Sequence, residues 1–200
     1  DPVLPIHVHS ILGFSDLLIK GFGDKLKLYI VSLRNPFELI EFFIDWTKRL
    51  CIDPRSWKFC IKNDNNEYFP FYIPVSYQDL YKNGSNIEKS ILTIYSFHKQ
   101  MFKMANSLND SFKDKLMFIP FEDFVTSTDK YIDDICVKLK TKRAEGLSNM
   151  MKREKLPRDY NMNNYFALKD FLKKYKKDNI SKEYINMLLE LDLMYKNYIK

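Results

Sequence analysis

Residues 27–33 run Lys-Leu-Tyr-Ile-Val-Ser-Leu and turn, without a spacer, into Arg34-Asn35-Pro36-Phe37-Glu38. An almost unbroken apolar run of this length, part β-branched and part aromatic, reads as a strand buried on both faces of a parallel sheet. Each residue that follows suits a helix start. Asn35 fits the N-cap, Pro36 fits the first helical position, where its missing N–H costs nothing, and Glu38 can complete a capping box. The predicted helix continues to about Arg49, with Ile40, Phe43, Ile44 and Thr47 sharing a face. Strand, tight turn and helix in that order place a helix N-terminus at the carboxyl end of a strand, which directs the chain to the α/β class.

A second strand signal, Leu116-Met117-Phe118-Ile119-Pro120, is predicted to run parallel to 27–33 and close to it, because a crossover of this length is what parallel strands need. It leads through Glu122-Asp123 to Thr126-Ser127-Thr128-Asp129, the start of a helix reaching about Leu139 and burying Ile132, Ile135, Cys136 and Leu139. Upstream, Ser85-Asn86-Ile87-Glu88 is a capping box that opens a helix over 86–107, with Ile87, Ile91, Ile94, His98, Met101 and Ala105 at helical spacing. Residues 51–83 are broken by Pro54, Pro70 and Pro74 and carry the run Tyr68-Phe69-Pro70-Phe71-Tyr72. That stretch reads either as a substrate-facing segment or as an irregular packed layer. Residues 3–9 read as a short strand and 11–22 as a helix or turn closed by Gly21 and Gly23. Two helices near 165–176 and 182–199 form a helical C-terminal tail, the last with Tyr184, Leu188, Leu191, Tyr195 and Tyr198 on one stripe.

With 46% apolar and 16% aromatic content, 200 residues can bury one sizeable core, so a single domain over 1–200 is expected. The net charge of +6 is uneven: 13 Lys and Arg stand against 4 Asp and Glu between Lys138 and Lys177. The tract is either a place where phosphate or sulfate is held or a solvated lysine-rich surface. Cys51, Cys60 and Cys136 have no metal-ligand spacing, and their odd number argues against a disulfide framework; they favour a reducing, cytoplasmic setting. No apolar run approaches the length of a membrane span. His98 lies on an apolar helical face and reads as a core histidine.

Arg34 is the most informative single residue. Helix N-termini present N–H groups and a positive dipole end, and a guanidinium beside them adds a planar donor fork suited to phosphate. The competing reading is an arginine paired with a surface carboxylate.

The order of apolar strand, Arg34-Asn35-Pro36 and helix resembles the segment by which sulfotransferases hold the 3′-phosphate of 3′-phosphoadenosine 5′-phosphosulfate (PAPS). The resemblance assigns that contact to Arg34. Phe118-Ile119-Pro120-Phe121-Glu122-Asp123-Phe124 is similar to the family's strand ending in a Tyr-Glu-Asp-Leu type sequence. Lys155-Leu156-Pro157-Arg158 resembles a late cationic segment that approaches the nucleotide phosphate, which makes Lys155 and Arg158 binding candidates expected to converge with Arg34. Val3-Leu4-Pro5-Ile6-His7 aligns with the family's segment that carries the general base, which would make His7 that base, with His9 the lesser candidate. Phe42 departs from the pattern, since the family usually has a hydroxyl donor one or two helical turns after the arginine.

The resemblance spans about residues 3–160. It implies an α/β fold of the P-loop-nucleotide-hydrolase-like sulfotransferase type, a parallel sheet flanked by helices and incomplete at the N-terminus. The family's 5′-phosphosulfate loop is not in residues 1–200 and is expected upstream of Asp1 or lost. The implied activity is transfer of a sulfuryl group from PAPS to a hydroxyl or amine of a small-molecule or glycan acceptor, with no metal required. The alternatives are a non-catalytic sulfotransferase-like protein and a basic anion-binding module. Sparse aromatics between Lys142 and Arg158 argue against a nucleic-acid partner bound by base stacking.

Overall fold

A computed structural model describes residues 5–6, 13, 15–50, 52–159 and 166–198. Its elements in chain order are α1 (Asp16–Phe22), β1 (Tyr29–Leu33), α2 (Pro36–Thr47), β2 (Cys60–Lys62), β3 (Tyr68–Pro70), α3 (Gln78–Asn83), α4 (Asn86–Ser107), α5 (Asp110–Lys113), β4 (Leu116–Pro120), α6 (Phe121–Thr126), α7 (Thr128–Leu139), α8 (Leu147–Arg153), α9 (Leu168–Lys174) and α10 (Lys182–Tyr198). The described chain is mostly helical, with a small parallel sheet of two strands, and is loosely α/β in character. It groups into two compact units, each discontinuous in sequence: residues 1–33 with 99–159, and residues 34–98 with 160–200.

The first unit is organised by β1 and β4, which pair in parallel from Tyr29↔Leu116 to Leu33↔Pro120. This is the pairing expected from their apolar runs. The expected burial of 27–33 on both faces is corrected. Val31 and Leu33 are buried, while Ile30 is 45% exposed and Ser32 points outward, so β1 alternates like a half-buried strand. Side-chain exposure is decided by the layer packed on each face, and among the described residues the Ile30 and Ser32 face of β1 is left open. The C-terminal part of α4 contributes Met101, Phe102 and Ala105 to this core, and Phe102 packs on Phe118 of β4 with centroids 6.0 Å apart.

After β4 the chain makes a separate short helix, α6, before α7. Pro120, extended at φ −62° and ψ 123°, serves as the N-cap of α6. The buried positions of α7 also differ from expectation. Thr128 and Tyr131 are buried, whereas Ile132, Ile135, Cys136 and Leu139 are only half-buried. The helix ends at Lys140, which takes the left-handed conformation at φ 54° and donates its backbone N–H toward the last turn.

The second unit is built from α2, the β2–β3 hairpin, α3, the N-terminal part of α4, α9 and α10. Its core is a helix-on-helix layer. Phe37 and Ile40 of α2, Ile91 and Leu92 of α4, Phe171 of α9, and Leu188 and Leu191 of α10 are all fully buried. Each such side chain contributes about 1.5–3 kcal/mol relative to exposure. Tyr184 and Tyr195 extend the buried stripe of α10 that the sequence displays, and the Tyr184 hydroxyl donates to the Leu80 carbonyl at 2.7 Å. The hairpin pairs Cys60↔Pro70 through Lys62↔Tyr68, with Asn66 at φ 64° in its turn. Residues 3–9, read as a strand, lie outside the described residues apart from 5–6, which form no regular element.

Candidate functional site

The start of α2 is where sequence reasoning concentrated, and its local geometry follows from three side chains. Asn35 is fully buried as the N-cap. Its Oδ1 accepts from the Phe37 N–H at 2.9 Å, and its Nδ2 donates to the Phe166 carbonyl at 3.0 Å. Pro36 occupies the first helical position as expected. One amide therefore both caps α2 and fastens it to the segment entering α9, where Phe37 meets Phe171 with centroids 5.8 Å apart.

Glu38 does not complete the capping box. It accepts from Arg34 instead, through Nε at 3.3 Å and a terminal nitrogen at 3.2 Å. The cation four residues back outcompetes a neutral backbone N–H for the carboxylate, because charge-assisted hydrogen bonds are roughly twice as strong as neutral ones. Arg34 is thus an ion-paired guanidinium, with its side chain 47% exposed and that of Glu38 24% exposed. A pair this open to solvent is worth about 0.5 kcal/mol, so a phosphate dianion can compete for the fork. One turn further on, Glu41 pairs with Lys174 at 2.6 Å. Burial, with Glu41 adding to it, pushes the Tyr175 hydroxyl up to about 12.

The other candidates fall elsewhere. His7 and His9 lie outside the described residues. Lys155 and Arg158 belong to the first unit and Arg34 to the second, so the three are not brought into one unit. Lys155 is exposed and left-handed at φ 55°, just past α8. The Arg158 N–H donates to the Val125 carbonyl at 2.6 Å, and its guanidinium donates to the Glu154 carbonyl at 3.2 Å. Phe42 is 71% exposed on α2. His98 is buried with Nδ1 2.9 Å from the Ile94 carbonyl, and burial pulls its pKa down to about 4, so it is neutral near pH 7.

The basic tract is partly neutralised by carboxylates outside it. Arg143 bonds Asp129 and, at 2.7 Å, Asp133, while Lys174 takes Glu41. Asp133 is held below the ordinary carboxylate value by its bond to Arg143. The tract's remaining cations are divided between the two units, so the sequence-level excess does not form one patch within either.

Sequence reasoning missed the roles of Glu38 and Phe166. The spacing of four residues puts Arg34, just before the N-cap, within reach of Glu38, but it does not decide between the ion pair and the capping box. Nothing in the sequence marked Phe166 as the partner of Asn35, 131 residues away. Among the described residues no group of three or more His, Cys, Asp or Glu could hold a metal ion, and no helix is long and apolar enough to cross a membrane. Comparison of the chain with protein-family models, with curated proteins and with solved structures finds no match.

Proposed function

We propose that this chain binds a 3′-phosphorylated adenosine nucleotide through Arg34 and acts as a sulfotransferase. The observation that carries the reading is β1 running straight into Arg34 and the Asn35-capped, Pro36-initiated α2, with β1 paired in parallel to β4. A strand followed directly in sequence by a capped helix start is the order in which α/β chains receive anions at a helix N-terminus. The Arg34 fork fits a phosphate, since its partner Glu38 holds it through an exposed pair that a dianion can displace.

In the reaction, the acceptor oxygen or nitrogen attacks the sulfur of PAPS. The bond from sulfur to the bridging oxygen breaks, and 3′-phosphoadenosine 5′-phosphate leaves with the electron pair. The acceptor proton passes to a base, for which His7 is the candidate; neutral imidazole suits this near pH 7.

A second reading, a sulfotransferase-like protein without catalysis, is favoured by Phe42. It leaves an exposed phenyl ring where the family offers a hydroxyl donor.

Calorimetric titration with 3′-phosphoadenosine 5′-phosphate tests both. Arg34→Ala should weaken binding at least tenfold, and Glu38→Gln, which removes the negative charge opposite the guanidinium, should tighten it a few-fold. Equal affinity in the native chain and Arg34→Ala removes Arg34 from the site. Nucleotide binding without sulfuryl transfer to any hydroxyl or amine acceptor supports the second reading, and no binding by any form sinks both.

A further inference from the structure

At the opposite end of α2 from Arg34, a cleft of about 300 Å³ opens between the last turn of that helix, strand β3, α3 and the first turn of α4. The twelve residues of α2 put the two ends about 16 Å apart at 1.5 Å per residue, so this is a separate place in the same unit. Its apolar wall is aromatic. Phe69 and Tyr81 are buried and meet edge to face with centroids 6.5 Å apart, and Tyr68 beside them is 46% exposed. Its charged lining is Lys48, Lys82 and Lys89 against a single carboxylate, Glu67.

The charge of that carboxylate is already taken. Glu67 pairs with Lys82 and accepts from the Asn63 amide at 3.3 Å, and these bonds hold it below the ordinary carboxylate value. Lys48 pairs with Asp45, which is itself 81% exposed and lies outside the cleft. Lys89 is different. Half-buried, it sets its ammonium 5.7 Å from the centroid of the Tyr81 ring, and among the described residues no carboxylate comes within ion-pair distance of it. An ammonium over a ring face, with no carboxylate in reach among the described residues, is open to an anionic partner. Aromatic walls beside it select a flat apolar body.

We propose that this cleft binds a small planar aromatic anion, an aryl phosphate or aryl carboxylate, whose ring lies against Tyr68 and Tyr81 and whose anionic group meets Lys89. Lys48 and Lys82, each paired with a carboxylate, leave Lys89 as the cation that recognises the anion. The site is independent of the nucleotide reading at Arg34, and each can fail without the other.

The test is an NMR titration of the full chain with phenyl phosphate and, separately, with inorganic phosphate. Saturable shifts are expected in the amides of 67–69 and 81–89, with inorganic phosphate at least tenfold weaker. Lys89→Gln should weaken phenyl phosphate about tenfold, while Lys89→Arg retains binding and Lys113→Gln, on an exposed surface of the other unit, leaves it unchanged. Arg34→Ala should leave it unchanged too, which separates this site from the nucleotide site. Absence of saturation overturns the proposal, as does equal affinity in Lys89→Gln. Inorganic phosphate binding as tightly as phenyl phosphate also overturns it, because the aromatic wall would then recognise nothing.

Discussion

The starts of α2 and α4 obey the same sequence rule and use it differently. Both carry a small polar N-cap residue followed three positions later by Glu, Asn35 with Glu38 and Ser85 with Glu88. At α4 the box closes: Glu88 accepts from the Ser85 N–H at 2.9 Å and from its hydroxyl at 3.0 Å, and through its other oxygen from the Ser181 N–H at 3.0 Å. At α2 the carboxylate turns to Arg34, and the capping amide is instead tied to Phe166. A capping glutamate goes to the strongest donor within reach, and a cation four residues back is stronger than a backbone N–H. The same two helix starts therefore differ in what they leave accessible: α4 presents a closed box, α2 an exposed ion pair that an anion can enter.

The largest expected effect breaks the buried side of this contrast. Asn35→Ala removes the cap bond and leaves the Phe166 carbonyl without that donor, so urea unfolding should show a loss of about 3 kcal/mol. Asn35→Asp, which can still cap α2 but cannot donate to Phe166, should also be destabilising, and recovery of full stability would show that the bond to Phe166 contributes nothing.

A smaller effect, and one that depends on pH, belongs to Glu88. Burial alone would raise its pKa, but the backbone N–H groups of Ser181 and Ser85 and the Ser85 hydroxyl outweigh this and lower it from 4.5. A depressed folded pKa contributes stability that is present above the unfolded value and is lost as pH falls through the folded one. Glu88→Gln should therefore cost about 1 kcal/mol at pH 7 and flatten the decline in stability below about pH 4.5. An unchanged acid limb in the variant would mean that the box carries no charge-dependent stability.

The smallest effect sharpens the comparison most. Glu38→Gln should change stability by less than about 0.5 kcal/mol, because its pair with Arg34 is open to solvent. A loss comparable with that of Glu88→Gln would place the two glutamates in the same structural role and remove the reason to regard Arg34 as available to an anion.

The local elements that were legible in the sequence share one property: their signal is carried by neighbours along the chain. The strand at Leu116–Pro120, the Ser85 capping box, the Asn35-Pro36 helix start and the tyrosine–leucine stripe of α10 all appear where their spacing put them. The three-residue strands β2 and β3 were not legible, since they are too short to express a period of two, although Asp64-Asn65-Asn66 between them is turn chemistry in plain view. For the candidate site, the position of Arg34 at a helix start was legible, but its engagement with Glu38 was not, because two partners for that glutamate were available by spacing alone.

What the sequence by itself determined, then, is the parallel partnership of two apolar runs and the location of each long helix, because these depend on local propensity and on burying one face. Tertiary structure decided the rest. It left the Ile30 and Ser32 face of β1 open, divided the basic tract between two compact units, joined Asn35 to Phe166 across 131 positions, and set Lys89 over Tyr81 beside an aromatic wall. Each of these outcomes depends on which distant surfaces meet, and a carboxylate, an amide or an ammonium takes its partner from what packing brings within about 3 Å, not from its neighbours in sequence.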